Sequence, residues 1–177
     1  MAAQIPLEPI NCRLLEAAGK LGCLEAMTVI AAASQLPHPL SQHPLDVTDA
    51  ATLIGRSQFA HPFSDHITMM NVAYAYAHII KEEEMDPAQW CHDHFLSQSS
   101  LDHLWSMQSR LRQKVNMRWP NRLGVSDVRD PNYELTIRKA LAVGLATQSA
   151  VLKKGTDTHI TVNYNHSGLI NADSAVM

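Results

Sequence analysis

The chain has 177 residues, of which 46% are hydrophobic and 18% are charged. This balance is typical of a globular protein of one domain or slightly more with a sizeable core, and it excludes wholesale disorder. The formal net charge of −3 excludes a global basic field. Any binding of nucleic acid must therefore come from a local basic patch.

The three cysteines, Cys12, Cys23 and Cys91, form no CxxC pair and have no regular spacing. An odd number of scattered thiols is typical of a reducing, intracellular compartment rather than of a disulfide framework. No secretion-signal pattern opens the chain, and its most apolar early run, "MTVIAAAS", is too short to cross a bilayer. We therefore expect an intracellular protein without a membrane partner.

Helical spacing of apolar residues dominates up to about residue 117. The stretch "EPINCRLLEAAGKLG" predicts a first helix, which Gly22 can end because glycine accepts the left-handed conformation found at helix C-termini. A second helix follows at "CLEAMTVIAAAS", and Pro37, Pro39 and Pro44 predict a loop after it.

A weaker helix is predicted at "DVTDAATLIGRSQ", with Asp46 or Thr48 as its cap, and three further helices follow before residue 117. The first begins at Ile67, and the second has Asp86 as N-cap and Pro87 at its first position. The third begins at Ser99, with Asp102 three residues on as a variant of the capping box. Its stripe is apolar except for one glutamine and contains Leu101, Leu104, Trp105, Gln108, Leu111 and Val115.

The composition then changes. Two prolines and the absence of a period predict a linker over residues 118–134. One more helix, "LTIRKALAVGLA", precedes three short strands at "SAVLKK", "THITVNY" and "SGLINADSAVM". The sequence thus predicts a mainly α fold, with a helical domain over 1–117 and a short β tail within 135–177.

Asp65 and His66 stand directly before the most apolar helix. Ser64 or Asp65 is well placed to cap that helix by accepting hydrogen bonds from its free N–H groups. A functional polar contact is the alternative, although no nucleophile or metal ligand set is visible near the pair. We favour capping.

The stretch "CHDHF" gathers Cys91, His92, Asp93 and His94. Cys91 and His94 are three residues apart and could share a metal ion, but a structural zinc site needs four ligands and no others stand at a usual spacing. The alternative, which we favour, is a buried stripe of Trp90, Cys91 and Phe95 with the histidines at the surface.

Basic residues concentrate between residues 110 and 122, where the chain has no acid. Cations beside an aromatic ring could hold the phosphate backbone of single-stranded RNA and stack one base. The alternative is a solvated helix end, where cations meet the C-terminal dipole favourably. The candidate residues are Arg110, Arg112, Lys114, Arg118, Trp119 and Arg122.

Several enzyme classes lack their motifs in this chain. It has no GxxxxGK[ST] phosphate loop, no GxSxG nucleophile elbow and no HExxH zinc motif. We therefore predict no catalytic residue, no metal and no ATP turnover by this chain alone.

The whole chain nevertheless resembles the C-terminal accessory region of DEAH-box RNA helicases. The carrying stretches occur in that family's order. They are "PLEPINCRLLEAAGKLGCLEAMTVIAAAS", "RSQFAHPFSDHITMMNVAYAY", "QWCHDHFLSQSSLDHLWSMQSRL", "DPNYELTIRKALAVGLA" and "TVNYNHSGLINADSAVM". Residue Ser64 stands where the family has glycine, and His94 stands where it has asparagine.

The resemblance implies a helicase-associated, or ratchet, helical domain followed by the start of an OB-fold. It implies that Asp65, His66 and Asn71 occupy motif positions along the RNA path, and that Arg138 and Lys139 open the OB-side helix. In that family two RecA-like motor domains bind ATP and Mg²⁺, and the OB-fold receives glycine-rich (G-patch) activator proteins.

The expectation is therefore an accessory fragment of a nuclear, pre-mRNA-splicing helicase. It would bind single-stranded RNA weakly, together with the motor domains and G-patch proteins. A protein-interaction domain that has lost RNA binding is the alternative.

Overall fold

The computed structural model describes residues 9–36, 55, 57–83, 85–120, 123, 130–170 and 174. Within this part of the chain it contains six α-helices, one 3₁₀ turn and three short strands. The predicted mainly α fold with a short β tail is therefore confirmed. The predicted loop around Pro37, Pro39 and Pro44 lies outside the described residues, as does most of the predicted weaker helix at "DVTDAATLIGRSQ".

The helices and strands follow one another in the predicted order. The helices are α1 (Pro9–Leu21), α2 (Leu24–Ala33), α3 (Asp65–Glu82), α4 (Pro87–Asp93), α5 (Gln98–Arg118) and α6 (Tyr133–Gly144). The 3₁₀ turn Ala146–Gln148 then leads into β1 (Ala150–Leu152), β2 (Thr158–Thr161) and β3 (Ser167–Leu169).

The chain divides into two compact units, each built from separate stretches. The first unit comprises residues 1–31 and 110–171, and the second comprises residues 32–109 and 172–177. The division of the sequence into 1–117, 118–134 and 135–177 stays a prediction.

In the first unit α1 packs closely against α6. A Cβ atom added at Gly144 would lie 2.8 Å from the Cα atom of Leu14, so only glycine permits this approach. Gly22 ends α1 as predicted, with a φ of +83° and its N–H donating to the carbonyl of Ala18 at 2.9 Å. Helix α2 follows at once and is buried along almost its whole length.

The β tail is an antiparallel sheet of three strands in the order β1-β2-β3. Its register pairs Val151 with Ile160 and Ile160 with Ser167. Side chains alternate between the two faces of a strand, so Val151, Ile160 and Leu169 share one face. Val151 and Leu169 are nonetheless 59% and 75% exposed, so this sheet contributes little to the core of its unit.

The core of the second unit is formed where α3, α4 and α5 contribute large side chains. The cluster contains Phe59, Val72, Tyr76, Trp90, Cys91, Leu96 and Leu101. The ring centroids of Phe59 and Trp90 are 5.8 Å apart, and those of Tyr76 and Trp90 are 5.9 Å apart. Both pairs are tilted, and neither is the face-to-face sandwich that aromatic pairs disfavour.

The N-cap of α4 agrees with prediction, whereas that of α5 differs. Asp86 accepts a hydrogen bond from the N–H of Ala88, and Pro87 is the first helical residue. Helix α5 begins at Gln98, and the hydroxyl of Ser97 accepts the N–H of Ser100 at 3.3 Å. The predicted cap at Ser99 with Asp102 as its capping-box partner is wrong, because Asp102 instead accepts a hydrogen bond from Tyr76.

Candidate nucleic-acid interface

Three cations follow one side of the C-terminal half of α5. Arg110, Lys114 and Arg118 are four residues apart, so successive side chains lie about 6 Å apart along the helix and on nearly the same side of it. We call these three residues the cation row. Leu111 and Val115 anchor this part of the helix in the core, with side chains that are 5% and 0% exposed. Arg110 and Arg118 are exposed to solvent.

The helix dipole accounts for only one member of the cation row. Its effect falls off within the last turn of a helix, and Arg118 is the basic residue of that turn. Lys114 and Arg110 lie further from the end, and like charges four residues apart destabilise a helix slightly. The row therefore has a small cost for the helix alone, and that cost favours a role in binding an anion.

Trp119 continues the helical path at the end of the row. Its N–H donates to the carbonyl of Val115 at 2.8 Å, so its backbone is fixed as in the helix. The guanidinium carbon of Arg118 lies 6.0 Å from the centroid of the Trp119 ring, which is within reach of a cation–π interaction. The half-buried ring thus lies beside Arg118 but about 100° further around the helix, where it could stack a base next to a phosphate bound by Arg118.

Arg112 does not belong to the row. Two residues after Arg110, it is turned by about 200° around the helix. Its Nε lies 3.1 Å from Oε2 of Glu25 in the first turn of α2, and the two form an ion pair. Arg112 is thus already engaged by a carboxylate.

The other basic candidates lie elsewhere. Arg138 and Lys139 are exposed on α6, and Arg138 forms an ion pair with Glu134 one turn earlier, at 3.5 Å. Arg122 lies outside the described residues. The cation row with Trp119 is therefore the compact part of the predicted basic segment.

The Asp65–His66 pair lies at the start of α3, in the second unit. The N-cap is Ser64, whose hydroxyl accepts the N–H of Ile67 at 3.3 Å. Asp65 is the first helical residue and accepts a hydrogen bond of 2.7 Å from the hydroxyl of Ser174. Of the two predicted caps, Ser64 is the one observed, because its extended backbone, with φ of −163°, directs its side chain at the free N–H groups.

The remaining two motif positions, His66 and Asn71, both lie on α3. Half-buried His66 has a lowered pKa, because burial disfavours its charged form more than the nearby Asp65 carboxylate favours it. Asn71 donates from Nδ2 to the carbonyl of Phe59 at 3.1 Å and so fixes the segment before α3. Asp65 and Asn71 thus make local contacts around the start of α3.

The cluster around Cys91 is part of the core. Cys91 is fully buried, and burial raises the pKa of its thiol to about 11, so the thiol stays protonated. His94 is not simply at the surface as predicted: its ring stacks on Trp90 at 4.6 Å, and its Nδ1 lies 2.7 Å from the Trp90 carbonyl oxygen. Among the described residues, no group of three His, Cys, Asp or Glu side chains could hold a metal ion.

Sequence reasoning missed two features of this surface. The four-residue spacing of Arg110, Lys114 and Arg118 was visible in the sequence and separates them from Arg112 by helical period alone. The pairing of Arg112 with Glu25 was not visible, because 87 residues separate them.

The comparisons with known proteins agree with the resemblance drawn from the motifs. A pre-mRNA-splicing factor ATP-dependent RNA helicase, DHX32 of Xenopus laevis, is 25% identical over 174 residues, 97% of this chain and 23% of the relative. The ATP-dependent RNA helicase DHX33 of Drosophila melanogaster is 28% identical over 110 residues, 62% of this chain and 15% of the relative. No family model matches the chain.

The resemblance to DEAH-box RNA helicases is thereby confirmed at modest identity. The chain spans less than a quarter of the length of these two relatives. In the described part of the chain, no helix is long and apolar enough to span a membrane.

Proposed function

We propose, from the similarity of nearly the whole chain to RNA helicases, that it is an RNA-binding accessory segment of a DEAH-box helicase. The observation that carries this proposal is the cation row of Arg110, Lys114 and Arg118 with Trp119 at its end. The row supplies charge for a phosphate backbone and the indole supplies a platform for one base. This combination binds single-stranded RNA without reading its sequence.

The row also sets the expected strength of binding. Each phosphate that a cation neutralises on a single strand adds about −0.7 to the slope of log K against log salt. Stacking of one base on an aromatic side chain adds about 1–3 kcal/mol. Three cations and one ring therefore give weak binding that physiological salt reduces further.

The finer parts of the proposal follow from the resemblance. The helical part corresponds to the ratchet domain and the three-stranded sheet to the beginning of an OB-fold. ATP and Mg²⁺ would bind motor domains outside this chain, which itself would turn over no ATP. The motor domains and G-patch activators are the proposed protein partners, and splicing in the nucleus is the proposed setting.

Binding of a short fluorescent RNA at low salt tests the proposal. A variant that also changed Arg112 would break the ion pair with Glu25, and that effect could not be separated from the loss of the row. The informative variant therefore changes only Arg110, Lys114 and Arg118, each to glutamine. We expect this variant to lose most of its affinity.

The matched control replaces three exposed cations outside the candidate surface, Arg13, Lys20 and Lys81, with glutamine. It has the same net charge as the first variant, and we expect it to bind RNA like the unchanged protein. Equal losses in both variants would show that net charge alone, and not the row, binds RNA.

A second function, protein interaction without RNA binding, is favoured by the exposed apolar side chains of the first unit's sheet. Val151 and Leu169, which share one face of this sheet with Ile160, are 59% and 75% exposed. Scattered exposed apolar residues are normal, but adjacent ones are typical of interaction surfaces. Absence of RNA binding by the unchanged protein at low salt would favour this second function.

A further inference from the structure

We propose that Glu25 limits the affinity of this surface for RNA by holding Arg112 away from phosphate. The inference rests on the RNA-binding function proposed above and names a residue that regulates it. Glu25 is an acid on a different helix, α2, and no motif of the sequence marks it.

The position of Glu25 is fixed by the helix that carries it. The residues that follow it, Ala26 and Met27, are both 0% exposed, so α2 cannot easily shift at this point. Glu25 itself lies in the first turn, where the helix dipole favours a negative charge. The packing of α2 therefore fixes the position of the Glu25 carboxylate independently of its contact with Arg112.

Arg112 would otherwise be well placed to extend the binding surface. It precedes Trp119 by seven residues, which is nearly two full turns, so both lie on the same side of α5. An RNA strand that stacks a base on Trp119 would bring a neighbouring phosphate to this side, where Arg112 lies about 10 Å back along the helix axis. The Arg112 side chain is 57% exposed and could meet that phosphate, but its Nε is engaged by Glu25 at 3.1 Å.

The Glu25 carboxylate lowers the affinity for RNA in two ways. It occupies Arg112, and it cancels the positive charge that Arg112 would otherwise add to the field of the cation row. An α-helix with its side chains is about 10–12 Å wide. The Debye length is about 8 Å at physiological salt and about 30 Å at 0.01 M. The second effect should therefore be marked at low salt and small at physiological salt.

The test measures the salt dependence of binding of a short fluorescent RNA by four proteins. These are the unchanged chain, Glu25→Gln, Arg112→Gln and the double variant. We expect Glu25→Gln to bind several-fold more tightly at low salt, with a slope steeper by about 0.7, the contribution of one phosphate contact. The double variant should keep the slope of the unchanged chain, because in both proteins this site has no net charge and no freed arginine. Arg112→Gln leaves the carboxylate without its cation and should bind more weakly at low salt, without the steeper slope of Glu25→Gln.

Glu16→Gln is the matched control. Glu16 is an exposed acid on α1 that pairs with Lys20 at 3.5 Å, so its loss changes net charge by the same amount and frees a cation elsewhere. We expect this control to leave the slope unchanged.

Two results would overturn the inference while leaving RNA binding by the row intact. In the first, the unchanged chain binds through the row but Glu25→Gln has the same slope. In the second, the double variant keeps the steeper slope of Glu25→Gln, so that charge alone explains the gain. Absence of binding by both the unchanged chain and Glu25→Gln at low salt would overturn this inference and the proposed function together.

Discussion

The phenolic hydroxyl of Tyr76 donates a hydrogen bond of 2.6 Å to Oδ1 of Asp102. Tyr76 is 1% exposed and belongs to the aromatic core of the second unit, whereas Asp102 is exposed at the surface of α5. The bond therefore satisfies a buried hydroxyl at the edge of the core with a solvated carboxylate. Burial first, and then the carboxylate, raise the pKa of Tyr76, which keeps the hydroxyl protonated as a donor.

Replacing Tyr76 with phenylalanine should destabilise the protein by about 1.5–2 kcal/mol, since a hydrogen bond to a charged group contributes about 1.5–3 kcal/mol. We expect a value near the lower end of this range, because the exposed Asp102 carboxylate can form a hydrogen bond to water once the tyrosine hydroxyl is gone. Urea unfolding measures the change. The control is Tyr164→Phe, whose side chain is 71% exposed and whose loss of a hydroxyl should have little effect. Equal free energies of unfolding for the two variants would show that the Tyr76–Asp102 bond contributes nothing.

The cap of α3 gives a second prediction. Ser64→Ala should cost about 0.5–2 kcal/mol, because the N–H of Ile67 loses its acceptor, whereas Ser64→Gly should cost only a few tenths. Asp65→Ala removes a charge near the helix N-terminus and should cost about 0.3–1 kcal/mol. Thermal unfolding ranks the three variants. A larger loss for Asp65→Ala than for Ser64→Ala would mean that Asp65 contributes more to this helix end than the cap does.

The contact between α1 and α6 gives a third prediction. Gly144→Ala should destabilise the first unit by about 1–3 kcal/mol, because the new Cβ meets the backbone of Leu14 and α1 must shift. Gly19→Ala is the control, since a Cβ there meets nothing within 4 Å. In the interior of α1 it should stabilise the helix by up to about 1 kcal/mol. If both variants shift stability in the same direction, the close approach at Gly144 has no energetic consequence.

Stability should pass through a maximum near neutral pH. The lowered pKa of His66 means that the unfolded chain takes up its proton more readily, so the free energy of unfolding falls as pH drops below about 6.5. Burial raises the pKa values of the Cys23 and Cys91 thiols to about 11. The unfolded chain loses these protons first, so stability also falls as pH rises above about 8.5.

Urea unfolding between pH 5 and pH 10 measures the fall in the free energy of unfolding on both the acid and the alkaline side. His66→Gln should flatten the fall in stability at acid pH. An equally steep fall in the unchanged chain and in His66→Gln would contradict the assignment to His66.

The sequence predicted the order of the elements and the buried stripe of α5, because helical period identifies a face even where it includes a polar residue such as Gln108. It did not predict the start of α5, since Ser97, Ser99 and Ser100 can all cap and only packing selects one. For the same reason Asp102 was misassigned: its partner, Tyr76, is distant in sequence. The basic segment was found from composition, but the separation of Arg112 from the row needed the position of Glu25.

The most direct test of RNA binding by the cation row is the salt dependence of binding by the unchanged chain. With three phosphate contacts, log K for a short single-stranded RNA should fall with log salt with a slope of about −2. Replacing Arg110 and Lys114 with glutamine should flatten this slope by about 1.4, and Trp119→Ala should weaken binding without changing it. A slope near zero, or one that keeps its value after both cations are removed, would contradict the account.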